Sequence, residues 1–372
     1  MNTMARSPGS SLAMRIIQGE EKLENARVTV GFDGFIDVLM RPIVKTSKEA
    51  SKLQYFQTIE EFGRFLSSHK GVSCSVETEV FSRKFGGNAP HLSNALSSLG
   101  VSVDCIGTFG KENIDPVFQT LTCNLYSFDE AGTSTALEFT DGKVLLGERI
   151  CKKADWKAIS DCTADVGFGA LIERSDLLAL VNWSEISYSY DLWKGVLENY
   201  IRKEEASVEK RIFFDLCDIS RKSHEEILQV LDLIKEFSFY RKTILSLNRN
   251  EANLVGIVLE TDAYIDTAKV LREEYNIDEV IIHGLDESLL AQEEGVFIYR
   301  NHYVHRPAVL TGAGDNFNGA CCAATLLGLK GVDCLWFAAK FAEEYVKTGV
   351  LPTLEDMKAY ARDVEGQKRN IG

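Results

Sequence analysis

The chain has 372 residues, 45% of them apolar, enough to bury one large core and a small appendage rather than several short domains. Its formal charge of −14, with no Lys/Arg run, excludes the basic stripe that a nucleic-acid partner needs, so an anionic substrate must find locally positive groups. No stretch resembles a membrane span, the N-terminus lacks the order of a signal peptide, and the nine cysteines fall in apolar segments (Cys105, Cys321, Cys322, Cys334) without paired or metal-ligand spacing, which together indicate reduced thiols and a cytoplasmic protein.

Residues 1–13 are small and polar and read as a disordered tail, followed by a single domain over 14–372. Val28 to Phe32 is a β-branched run, and Phe35 to Leu39 continues apolar, which predicts a first core strand. Gly86-Gly87-Asn88 then opens a stretch with Leu92, Ala95, Leu96 and Leu99 at helical spacing, stopped by Gly100 and followed by a strand over 101–107. Thr133 to Arg149 breaks the rhythm: it alternates apolar and polar around Asp141-Gly142, the pattern of an antiparallel hairpin flap. Beyond it strands at 211–215, 243–247 and 280–282 alternate with helices at 225–237 and 263–275, which predicts a mostly parallel sheet with helices on both faces.

The segment richest in chemistry is Val309 to Ala320, leading into a small-residue helix over 321–327. Gly312 and Gly314 free the backbone to turn its N–H groups outward, and a helix N-terminus adds positive potential, so Gly312, Ala313 and Gly314 form an anion site. A carboxylate beside that site repels a bound phosphate. It suits phosphoryl transfer, in which Asp315 takes the proton from an attacking hydroxyl while the N–H groups hold charge on the moving phosphoryl group. The alternative is Asp315 as a helix N-cap.

Gly312-Ala313-Gly314-Asp315 resembles the C-terminal motif of the PfkB/ribokinase kinases, and Gly86-Gly87 with the helix ending at Leu99-Gly100 is similar to their N-terminal one. The likeness runs from about Val28 to Met357. It implies a three-layer α/β/α fold with a β-flap as lid, spanning about 133–149, and an ATP-dependent, Mg²⁺-requiring kinase acting on a sugar or nucleoside hydroxyl. It also implies a possible homodimer through the lid, and neither a nucleic-acid nor a membrane partner.

Residue by residue, the resemblance makes Asp315 the base. Asp37, or Asp33 one register earlier, would bind acceptor hydroxyls, unless these acids cap a turn. Gly86, Gly87 and Asn88 would lie against the acceptor, with His91 where the family usually has Asn. Asn248 and Glu251 match its Asn-x-x-Glu motif, with Glu251 positioning Mg²⁺ through water and Asn248 near the nucleotide phosphates.

Three positions depart from the family pattern. Val309 replaces a usual Asp, so K⁺ activation is not implied; His283-Gly284 and the four residues after them replace a Thr-x-Gly-x-x-Gly nucleotide loop; and Lys340 stands for an Asn near the adenine pocket. A purine acceptor would use apolar flap residues such as Phe128, Leu137 and Phe139. The changed nucleotide loop suits a sugar-binding protein without turnover, which the retained Asp315, Asn248 and Glu251 oppose.

Overall fold

The computed structural model describes residues 11–45, 53–147, 156–309 and 311–369. Its strands in chain order are β1 (Arg27–Gly31), β2 (Phe35–Lys45), β3 (Gln54–Tyr55), β4 (Thr78–Gly86), β5 (Ser102–Gly107), β6 (Asn124–Ser127) and β7 (Gly132–Phe139), then β8 (Gly142–Gly147), β9 (Leu177–Leu180), β10 (Ser207–Asp215), β11 (Arg241–Asn248), β12 (Glu279–His283), β13 (Glu287–Gln292) and β14 (Gly295–Arg300). Nine of them form the central sheet in the order β14-β13-β12-β11-β10-β9-β1-β5-β6. The run from β6 to β12 is parallel, and β13 and β14 add antiparallel strands at one edge.

Side chains of a strand alternate between its faces, and here both faces are buried. Val28, Leu177, Phe213, Ile244 and Ile281 point to one face, against helices Leu12–Asn25, Asn88–Ser98, Ala313–Leu326 and Gly331–Thr348. Leu178, Phe214, Leu245 and Ile282 point to the other, against helices Ser189–Asn199, His224–Phe237 and Tyr264–Glu273. The helices expected at 225–237 and 263–275 are therefore both present. The first helix starts at Leu12, capped by Ser11, with Ala13 only 4% exposed, so residues 12 and 13 belong to the core and not to a tail; residues 1–10 lie outside the described set.

A second sheet stands over the carboxyl ends of the core strands. In it β2 pairs with β4 antiparallel and β7 parallel, β7 with β8, and β3 flanks β2. The expected hairpin is β7–β8, closed by Thr140-Asp141 between the paired residues Phe139 and Gly142; positions 148 and 149 lie outside the described residues. One expectation fails: Phe35 to Leu39 does not continue the core strand. The chain leaves the central sheet after Gly31 and starts β2 of the lid.

Candidate active site

The core strands end in a row of polar residues under the lid, where open parallel sheets bind ligands. Asp33 follows β1, Asn182 follows β9, Asp215 ends β10, Asn248 ends β11 and His283 ends β12. The helix Ala313–Leu326 points its N-terminus at the same place. It starts eight residues earlier than the sequence pattern suggested, so Asp315 is its third residue and not its N-cap. The N-cap is Gly312, left-handed at φ 77°, with no capping side chain; the first ladder bond runs from Asn316 N to Gly312 O at 2.9 Å. The N–H groups of Ala313, Gly314 and Asp315 therefore face forward as an anion site.

Two imidazoles fix this turn. A methyl group at Gly312 would stand 2.8 Å from His91 Nδ1, and one at Gly314 would stand 3.3 Å from His283 Cε1. Burial holds both histidines down to about 4, so both are neutral near pH 7. His91 also packs on Phe85, and His283 on Phe317 with ring centroids 5.2 Å apart. These contacts connect segments far apart in sequence, and they explain why the turn needs glycine twice.

The two candidate acceptor aspartates are separated by their surroundings. Asp33 is fully buried and accepts from the N–H groups of Asn88 (2.8 Å) and Ala89 (2.7 Å) and from Asn182 Nδ2 (2.7 Å), so it caps the helix that Gly87 opens. Asp37 lines a cleft of about 860 Å³ together with Phe35, Gly87, Asn88, Ser134 and Asn182. Each carboxylate explains one glycine: a side chain at Gly86 would overlap Asp37, and one at Gly87 would come 2.8 Å from Asp33 Oδ2.

Asp215 is the residue that sequence reasoning missed. Its carboxylate accepts from Asn318 Nδ2 (2.6 Å), Asn88 Nδ2 (3.3 Å) and the Cys217 N–H (2.7 Å), joining the Gly86-Gly87 segment, the β10 end and the Asp315 helix. Only its place at the end of an apolar strand hinted at this. Burial, with Asp33 nearby, pushes it up to about 6.

Asn248 and Glu251 form a reciprocal capping box at the start of helix Arg249–Val258. Burial and the charges of Asp215, Asp218 and Asp315 raise Glu251 to about 9, and Asp315 is likewise raised well above the carboxylate range by burial, Asp215 and Asp33. Such mutually repelling oxygens fit a divalent cation. Among the described residues no group of three or more His, Cys, Asp or Glu side chains is placed to hold a metal ion.

Gly284 lies against Arg249, which stacks on Tyr264 and pairs with Glu287 at 3.1 Å. Lys340 is held by Glu344 at 2.6 Å and over the Tyr360 ring, on a neighbouring helix. Val309 packs against Gly349 and supplies no carboxylate.

The family model described as prokaryotic ketohexokinase matches residues 13–364. The chain belongs to that family. A curated ketohexokinase from Haloferax volcanii is 23% identical over 349 residues, covering 92% of each chain. Similar solved structures include a Thermotoga maritima ribokinase (16% identical, TM-score 0.62, covering 91% of this chain and 99% of that one) and a Burkholderia thailandensis nucleoside kinase in complex with inosine (14%, TM-score 0.63, 92% and 99%). A putative ribokinase II from E. coli in complex with ATP and Mg²⁺ is 13% identical with a TM-score of 0.60 over 91% and 99%. The fold is thus ribokinase-like, and the protein is an ATP-dependent carbohydrate kinase of the PfkB type. Among its described residues no helix is long and apolar enough to cross a membrane.

The shifted groups give the ligand-free kinase a defined stability profile. Asp215 and Glu251, raised from 3.8 and 4.5, stabilise the fold fully below those values and lose that contribution as pH rises through about 6 and about 9. His91 and His283, lowered from 6.5, contribute fully above that value and lose it as pH falls towards about 4. Above pH 6.5, where the histidine contribution is complete, the thermal midpoint should therefore fall steadily towards pH 9. A midpoint that is flat or rises between pH 6.5 and 9 contradicts these assignments.

Proposed function

We propose that the kinase transfers the γ-phosphoryl group of ATP to a hydroxyl of a ketohexose, with Asp315 as the base. The observation that carries this reading is the convergence of Asp315, the open helix start at Gly312 to Gly314 and Asp37 beneath one lid. Asp37 accepts hydrogen bonds from acceptor hydroxyls, Asp315 removes the proton of the attacking hydroxyl, and the three N–H groups hold the phosphoryl oxygens. Glu251, with Asn248 beside it, would hold Mg²⁺, which would neutralise phosphate charge.

The cleft favours a polyol over a purine. Most of its lining residues are of polar type, among them Ser134, Asn182, Ser184, Ser187 and Asp218, and its large apolar side chains are Phe35 and Leu145. The flap residues that a nucleobase would need are used elsewhere: Leu137 and Phe128 are 7% and 9% exposed within the packing, and Phe139 sits on Phe62 with centroids 5.5 Å apart. The ketose assignment draws on the Haloferax volcanii relative, and the reduced thiols suit the cytoplasm.

A coupled assay of ADP release against ketohexoses, aldohexoses and nucleosides tests the proposal. Ketohexose should give the highest kcat/KM, by at least about tenfold, and activity should vanish with chelator and return with Mg²⁺. A nucleoside or aldohexose preference overturns the ketose assignment, and chelator-resistant turnover overturns the role of Mg²⁺.

A further inference from the structure

We propose that Lys84, on a lid strand, supplies the cation that neutralises the transferring phosphoryl group. The proposal rests on Gly312 to Asp315 being the phosphoryl site. Lys84 lies on β4 directly opposite Asp37 on β2, and its Nζ donates to Thr311 Oγ1 at 3.0 Å. Thr311 immediately precedes the N-cap Gly312, so an ammonium stands beside the start of the helix that carries Asp315.

Among the described residues, the groups packed around that turn bring no positive side chain of their own. A phosphoryl group in flight spreads negative charge over its equatorial oxygens. The turn offers neutral N–H groups; Asp33, Asp37, Asp215, Glu251 and Asp315 surround it with carboxyls; and the two flanking imidazoles are neutral. The other basic side chains nearby are engaged. Arg221 is held by Glu185 at 2.9 Å, Lys222 by Glu226 at 3.7 Å and the face of Trp183, Arg249 by Glu287 at 3.1 Å, and Lys340 by Glu344 at 2.6 Å. Lys143, on β8 opposite Glu138, acts electrostatically on Asp37.

Lys84 acts electrostatically on Asp37 across the strand pair, and its close polar contact is with Thr311 Oγ1. Its partner is a hydroxyl, which an ammonium exchanges readily for a phosphate oxygen, since the charged acceptor makes the stronger hydrogen bond. Because Lys84 rides on the strand paired with that of Asp37, the lid that grips the acceptor also carries the cation. Charge and acceptor then reach the phosphoryl group together, which limits hydrolysis of ATP while the acceptor is absent.

The test compares Lys84→Met and Lys84→Gln in the full-length enzyme. Gln retains a donor for Thr311 Oγ1, and with it the lid contact, but removes the charge. Both variants should lose at least about a hundredfold in kcat while acceptor KM stays within about fivefold. Both should also bind Mg²⁺-ADP normally but Mg²⁺-ADP with aluminium fluoride, a mimic of the phosphoryl in flight, at least about a hundredfold more weakly. Lys84→Gln with kcat within about threefold of the parent overturns the proposal, and so does a loss confined to acceptor KM or one equal for ADP with and without the fluoride. Should Lys84→Met fail to fold, Lys84→Gln decides alone. Full turnover in Asp315→Asn would sink the phosphoryl-site reading itself, whatever the Lys84 variants do.

Discussion

Asp315→Asn is expected to lower kcat at least about a hundredfold, about 2.7 kcal/mol of transition-state stabilisation, with nucleotide affinity nearly unchanged. The substitution keeps the volume and leaves the N-cap at Gly312, so the helix start and its N–H groups persist. What disappears is the proton acceptor. In the parent enzyme burial and the neighbouring Asp215 and Asp33 hold Asp315 well above the carboxylate range, so kcat/KM should rise with pH as this group loses its proton. The variant should lack that limb of the profile. Steady-state rates, calorimetric binding of ADP and a thermal midpoint measured together check the result. Turnover near that of the parent removes Asp315 as the base.

The core of this fold is legible because its signals are local. Strand alternation and the stop at Gly100 each determine the structure of a few neighbouring residues, and both appear as expected. The box of Asn248 and Glu251 shows how one pattern can carry two meanings: its reciprocal hydrogen bonds start a helix, and the same bonds aim a carboxyl towards Asp215 and Asp315.

What the sequence hides is long-range. Phe35 to Leu39 is as apolar as a core strand, and only its pairing with β4 and β7 assigns it to the lid. Lys84 is one lysine in an alternating strand, until β4 lies beside β2 and the Thr311 turn. Asp215, and Asn182 and Cys217 with their left-handed φ of 58° and 57°, become site residues only when neighbouring strands end together. His91, read as either a core residue or an acceptor contact, presses on Gly312, a contact that no spacing rule reaches.

Asp37→Ala and Asp33→Ala should fail in different ways, and the difference tests the register of the acceptor site. Asp37 faces the cleft, where Lys84 and Lys143 offset part of the cost of its burial, so its loss removes a charged acceptor for substrate hydroxyls. Such hydrogen bonds contribute about 1.5–3 kcal/mol, so kcat/KM for the acceptor should fall roughly ten- to a hundredfold, mostly through KM, with the background ATPase rate unchanged. Asp33 is inaccessible. Removing it leaves the Asn88 and Ala89 N–H groups and the Asn182 amide buried without an acceptor, and strips the helix over Asn88–Ser98 of its cap. That loss should lower unfolding free energy by roughly 2–4 kcal/mol, read from the denaturant midpoint. An Asp33→Ala protein of normal stability with a raised acceptor KM would place the acceptor on Asp33 and show the assignment to be one register off. If KM is unmoved in both variants, the acceptor hydroxyls are held by another wall of the cleft.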